Sequence, residues 1–337
     1  MELSELWFLL IAVLFVGFMF LEGFDFGVGM GSRFLAKNDM ERQLLNNAIG
    51  PTWAGNEVWL ITAGGAMFAA FPHWYATLFS GYYLPFLVLV IALMARGVSL
   101  DVRSRIENET WRTAWDWAMF AGSILPPFLF GVLFSSLIKG LPVDEEMNMY
   151  AGFLDIVNIY TVVGGILFVA LSYLHGLTFL SLKTEGDIRQ RARLQAQKMY
   201  ALTGVLLVVF TVLTAVYTEA FTAKGMYLIP MYIVAAIVYI ALLPLLRKGK
   251  EGLSFTMTGL VIIIVTASIF IALFPNVMIS SLGEAFNMTV YEAASGAYSL
   301  KLMTIVAVTM LPIILGYTAW SYYVFRKRVS TKETEGY

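Results

Sequence analysis

Apolar runs of about 20 residues recur nine times along this chain, and the segments between them are basic only at every second break. The runs fall near residues 7–31, 54–71, 75–96, 115–138, 157–182, 199–222, 226–246, 253–274 and 298–325. Lys and Arg counts in the ten successive segments outside them, with Arg96 at the last position of the third run counted in the segment that follows, are 0, 3, 0, 4, 1, 5, 1, 3, 0 and 4. Nineteen cations thus lie on one side and two on the other, with Lys301 inside the ninth run. Cytoplasmic loops collect Lys and Arg, so the N-terminus is expected outside and the C-terminus in the cytoplasm. The expected fold is an all-α, polytopic transmembrane helix bundle of nine spans.

Composition agrees. The chain is 59% hydrophobic and 13% charged, against roughly 25% charged residues in a soluble domain. No basic segment precedes the first run and no small-residue cleavage site follows it, so the first span is expected to stay in the mature protein. The second and third spans share a tight turn at Pro72-His73-Trp74, and merging them would destroy the charge alternation. No long polar insertion interrupts the chain, and residues 1–337 read as a single membrane domain. The outer-loop acids Asp144, Glu145 and Glu146 read as a solvated turn.

Against this background Glu22 and Asp25 stand out, set inside the first span in Leu21-Glu22-Gly23-Phe24-Asp25-Phe26-Gly27. A carboxylate within hydrocarbon costs several kcal/mol and usually faces a bundle interior or a wet cavity on a proton or ion route. The topology puts Asp25 roughly 9 Å from the cytoplasmic boundary, with Glu22 one turn deeper. Spaced i and i+3, the two share a helix face and could pass a proton through one bridging water. Gly23, Gly27 and Gly31 form a row of small residues that lets another helix approach. Glu57, near the start of the second span, falls at a depth similar to Asp25; it reads either as a neighbour of the pair or as a helix-end carboxylate favoured by the dipole.

Other polar residues have plainer readings. Asp116 caps the fourth span or pairs with Arg103, Arg105 or Arg112; Trp53 and Trp59 suit a membrane-interface belt. Lys301 either snorkels to the surface or pairs with an acid such as Glu292. Zero cysteines exclude disulfides and thiolate metal sites. Two histidines, His73 and His175, supply no haem-ligating pair at matched depth. P-loop, serine-hydrolase and zinc motifs do not occur.

At several ordered motifs the chain resembles subunit II of the cytochrome bd-type quinol oxidases: Glu22 to Gly29, the run from Trp53 through Gly65, Asp101 to Glu107, Trp115 to Trp117, Phe274 to Ser281, and Thr289 through Tyr323. The resemblance implies a nine-helix subunit in the bacterial cytoplasmic membrane. It implies as partner a similarly folded subunit I that carries two haems b, haem d and the quinol-oxidising loop, with room for a small accessory membrane subunit. The complex would oxidise quinol and reduce oxygen to water, taking protons from the cytoplasm without pumping. The family's first-helix carboxylate maps onto Asp25. Trp53, Asn56, Trp59 and Lys301 become candidate haem or quinone contacts. Two positions depart from the pattern: Ala54, where many members carry Asp, which leaves Glu57 or water to substitute, and Ile279, where Pro is common. A purely structural partner subunit and an ion-coupled secondary transporter are the competing expectations.

Overall fold

An uninterrupted helix, α1 (Leu3–Phe34), runs through the middle of the bundle in the computed structural model, which describes residues 2–330. Lys332, one of the loop cations counted above, lies outside the described residues. Around α1 stand α3 (Trp53–Ala70), α6 (Glu109–Lys139), α8 (Ile159–Lys183) and α11 (Glu251–Leu273). A second shell holds α5 (Tyr83–Val102) against α6, α9 (Gly186–Tyr217) against α8, and α10 (Ala220–Lys248) against α11. The last helix, α12 (Ala297–Val324), packs mainly on α1 and α3, and no residue of its apolar window is buried. Short helices α2 (Asp39–Ile49), α4 (Pro72–Gly81) and α7 (Phe153–Ile156) connect the long ones. Asn38, Asn108 and Asn158 cap α2, α6 and α8 by accepting from backbone N–H groups three residues on.

Among the described residues eight helices are long and apolar enough to cross a membrane. The run expected at 54–71 is not among them. Its helix, α3, has 18 residues, about 27 Å at 1.5 Å per residue, and Asn56 and Glu57 dilute its hydropathy. The third run also needs correction at its start. The chain turns at Phe71, residues 72–81 form α4, and the long helix begins only at Tyr83, eight residues beyond the expected start. The break expected between 222 and 226 is a two-residue link after Tyr217, followed by a kink at Lys224 inside α10.

The bundle is tight where glycine faces glycine. A Cβ on Gly27 would stand 2.6 Å from Gly176 Cα on α8, and one on Gly131 of α6 would stand 2.7 Å from Gly165 Cα of α8. The row proposed on α1 is therefore not uniform. Gly27 is the point of backbone contact, a Cβ on Gly31 would meet the Leu45 side chain at 3.1 Å, and one on Gly23 would meet nothing closer than 3.8 Å.

Each end of the bundle is stitched differently. At the basic end Arg103, nearly fully buried, binds Asp116 (Nε–Oδ1 2.5 Å) and Asp39, while Arg112 reaches Asp39 at 2.9 Å. Asp116 thus takes Arg103, and Arg42 at 3.7 Å, rather than Arg105 or Arg112. Arg105 donates instead to the Asp101 carbonyl. At the opposite end a small antiparallel hairpin, β1 (Asn276–Met278) with β2 (Met288–Thr289), packs against the loop after α6. Leu141 N–H donates to the carbonyl of Ile279, and Ser281 N–H returns a bond to Leu141. Asp144 accepts from the N–H groups of Glu146 and Asn148, a local turn as expected.

Candidate functional site

Glu22 and Asp25 are both wholly buried, and α1 turns them toward α3 and α5, where each finds a different partner. Arg96 of α5, itself wholly buried, donates from Nη2 to Glu22 Oε1. The same nitrogen stands 3.5 Å from Glu57 Oε2 on α3, and the guanidinium lies over the Phe26 ring, 4.8 Å from its centroid. Glu57 is the least enclosed of the group, its side chain 19% exposed. One guanidinium therefore ties three helices together.

Asp25 is held from the other side. Asn56, one residue before Glu57, donates from Nδ2 to Asp25 Oδ2 at 2.7 Å. Its Oδ1 accepts from the Tyr322 hydroxyl at 2.6 Å. That bond fixes which way the amide points, since an oxygen engaged by a phenol leaves the nitrogen for the carboxylate. Tyr322 lies near the end of α12, so the last helix reaches the first one's carboxylate through the third. Tyr322 also lines, with Thr52, Phe179, Phe255, Lys183 and Arg326, a cavity of about 390 Å³ at the basic end. Glu57 opens instead onto an apolar crevice of about 530 Å³ between α3, α4 and α5, walled by residues such as Phe68, Phe79, Phe86 and Met94.

Several polar atoms at this site are buried without a hydrogen-bond partner: Glu22 Oε2, Asp25 Oδ1, and Nε and Nη1 of Arg96. Buried polar groups are ordinarily satisfied. Glu22 and Glu57 share the single guanidinium of Arg96, while Asp25 depends on the Asn56 amide.

The structure thus brings together Glu22, Asp25, Asn56 and Glu57, all named from sequence, and adds Arg96 and Tyr322, which were not. The signal for Arg96 was its place at the edge of an apolar run, where it counted as a loop cation. Removed from that tally, it leaves the charge alternation intact. Trp53 and Trp59 do not lie free at a boundary. The Trp59 ring fills the space beside Gly17 of α1, and Trp53 lies 3.0 Å from where a Cβ on Gly97 would be. Ala54 is exposed on α3. Lys301 is exposed in the second turn of α12, far along the helix from Tyr322, and among the described residues has no carboxylate within 4.0 Å; Glu292 accepts instead from Thr289.

The two histidines sit in unlike surroundings. His175 is wholly buried on α8, with Nδ1 at 2.7 Å from Thr258 Oγ1 and Nε2 at 3.2 Å from the Phe20 carbonyl, and its ring stacks on Phe255. His73 is exposed on α4.

The family described as cytochrome bd terminal oxidase subunit II matches residues 3–325. The chain belongs to this family. It is 50% identical over 336 residues to cytochrome bd ubiquinol oxidase subunit 2 of Bacillus subtilis, covering 100% of this chain and 99% of the relative. It is 36% identical over 366 residues to cytochrome bd-I ubiquinol oxidase subunit 2 of Escherichia coli, covering 99% and 97%. The fold matches a chain in the structure of bd oxidase from Geobacillus thermodenitrificans with a TM-score of 0.76 at 14% identity, over 96% of this chain and 99% of that one. This bd oxidase subunit II is a multi-pass membrane protein of a bacterial respiratory oxidase.

Proposed function

We propose that this subunit II stabilises a haem-bearing subunit I and supplies a proton path from the cytoplasm for the reduction of oxygen to water by quinol. The observation that carries the reading is Asp25 itself, wholly buried in α1 and joined through Asn56 to Tyr322 on the wall of the basic-end cavity. In this reading α3 also crosses the membrane, bringing the spans to nine, the basic end faces the cytoplasm, and residues 1–337 form a single membrane domain. A proton arriving in that cavity has only the Tyr322–Asn56 contact between it and Asp25. Beyond Asp25 lie Glu22, Arg96 and Glu57, whose unpaired buried atoms suit water-mediated passage.

The quinol substrate is ubiquinol in the names of the relatives, and the same class is proposed here. Two haems b and haem d are assigned to subunit I, since neither histidine of this chain is placed to hold one. Among the candidate haem or quinone contacts, Asn56 is engaged by Asp25 and Tyr322. Trp53 and Trp59 remain candidates on α3, whose glycines Gly55, Gly64 and Gly65 meet nothing within 4 Å, and the docking face for subunit I is assigned to α3 with the unburied α12.

The test is Asp25→Asn in the intact complex. A positioned proton donor contributes typically 10²–10⁴-fold. Oxygen uptake is expected to fall at least roughly tenfold, while the reduced-minus-oxidised haem spectrum stays as in the parent. Full turnover in an assembled complex would sink the proton path and leave a structural partner, in which Asp25 and Asn56 only join α1 to α3.

A further inference from the structure

Away from the Asp25 site, three arginines converge at the basic end on a cavity of about 480 Å³ between α9 and α10: Arg189, Arg193 and Arg247, with Gln190 and Gln197 beside them. The fold sets Arg193 in place. Gly249 closes α10 in the left-handed region (φ +66°), and a Cβ there would stand 2.6 Å from Arg193 Cζ. The charge is not balanced locally. Glu251 accepts from Arg189 at 2.7 and 2.8 Å and from Arg328 at 2.9 Å, with Arg193 4.0 Å away, so one carboxylate serves three guanidinium groups. Among the described residues Arg247 has no carboxylate within 4.0 Å. Glu185 and Asp187, at the start of α9, are the other acids nearby in sequence.

Depth matters as much as charge. The apolar run of α9 begins near residue 199, so Arg193 and Arg189 lie roughly 9 and 15 Å beyond it along the helix, within reach of the headgroup layer. Leu194 forms part of the cavity wall, and Leu202 and Val205 of α9 and Ile237 and Ile240 of α10 are exposed farther along the same two helices. A general positive-inside bias scatters cations over loops; here they line one cavity above an apolar surface, the combination seen where basic pockets between spans take anionic lipid headgroups.

We propose that this cavity seats the phosphate of an anionic phospholipid, gripped by the Arg193 and Arg247 guanidinium groups beside the Glu251-bound Arg189, with its acyl chains along α9 and α10. The test uses the intact, delipidated oxidase complex titrated with phosphatidylglycerol, phosphatidylcholine or sodium phosphate, followed by thermal unfolding and by native mass spectrometry of retained lipid. Phosphatidylglycerol is expected to raise the unfolding temperature by several degrees and to stay bound, while Arg193→Gln/Arg247→Gln loses most of both effects. Arg247→Gln alone, at an exposed position, provides a variant whose folding is not at stake and is expected to weaken retention several-fold. An equal shift with phosphatidylcholine would overturn headgroup recognition, and an equal shift with sodium phosphate would make the site one for a free anion. Undiminished phosphatidylglycerol retention by the double variant would place the lipid elsewhere.

Discussion

Arg96 of α5 and Glu22 of α1 form an ion pair in which both side chains are wholly buried. Such a pair adds little net stability over a well-packed apolar pair, but breaking it by removing one member typically costs about 3–5 kcal/mol, because the other charge is left stranded. Its value here is placement: the guanidinium that neutralises Glu22 also stands beside Glu57 and over Phe26, so α1, α3 and α5 keep one relative setting.

Arg96→Met is accordingly expected to destabilise the complex by about 3–5 kcal/mol, read as a lowered unfolding temperature and early haem loss. Adding Glu22→Gln is expected to recover a large part of the loss. A double variant as unstable as the single one would show that shape, not stranded charge, dominates.

Tyr322→Phe removes one hydroxyl and leaves the ring. The lost bond is worth about 0.5–1.5 kcal/mol, so assembly and the haem spectrum should persist. Freed of its phenol, Asn56 no longer has a fixed amide direction, and turnover is expected to drop several-fold with a larger solvent deuterium isotope effect and an unchanged KM for quinol. Steady-state oxygen uptake in H2O and D2O measures both.

The glycines of α1 should differ sharply. Gly27→Ala drives a methyl against the backbone of α8, an overpacking that costs typically about 1–3 kcal/mol. Gly23→Ala finds ordinary contact distances and, with the better helix propensity of alanine, should be neutral or slightly stabilising. Paired thermal unfolding of the two variants decides.

Glu41 on α2 supplies a pH dependence outside the membrane. Burial opposes its charge, yet the ion pair with Arg191 and the hydrogen bond from the Lys37 N–H, both at 2.6 Å, hold its carboxyl below the ordinary 4.5. A depressed carboxyl contributes its full stabilisation above 4.5 and loses it as pH falls through the lower, folded value. Hydrogen exchange of the segment joining α1 to α2, corrected for intrinsic rates, should be steady from neutral pH down to 4.5 and quicken below it. In Glu41→Gln it should be quick throughout.

The long helices were legible because hydrocarbon demands unbroken apolar runs, and Glu22, Asp25 and Glu57, singled out from sequence, lie at neighbouring positions of α1 and α3 in the fold. What escaped was partnership across the bundle. Arg96 reads in one dimension as a cation at the edge of an apolar run, and it is the continuation of α5 to Val102 that sets it inside the helix. Tyr322 is one aromatic among many at a helix end, and nothing local marks a phenol 266 residues from the amide it meets. The second run is less apolar than the other eight for the reason it matters chemically: α3 carries Asn56 and Glu57.

Helix α12 is fastened near its N-terminal end, where Trp7 Nε1 donates to the Leu300 carbonyl and Thr304, and near its C-terminal end by Tyr322 and by Lys183, which donates to the carbonyls of Phe325 and Lys327. That helix follows α1 and α3 in the chain. Until it packs, Asn56 has its carboxylate but not its phenol. The Asp25 cluster is therefore assembled by a late tertiary contact rather than by the helix that carries the carboxylate.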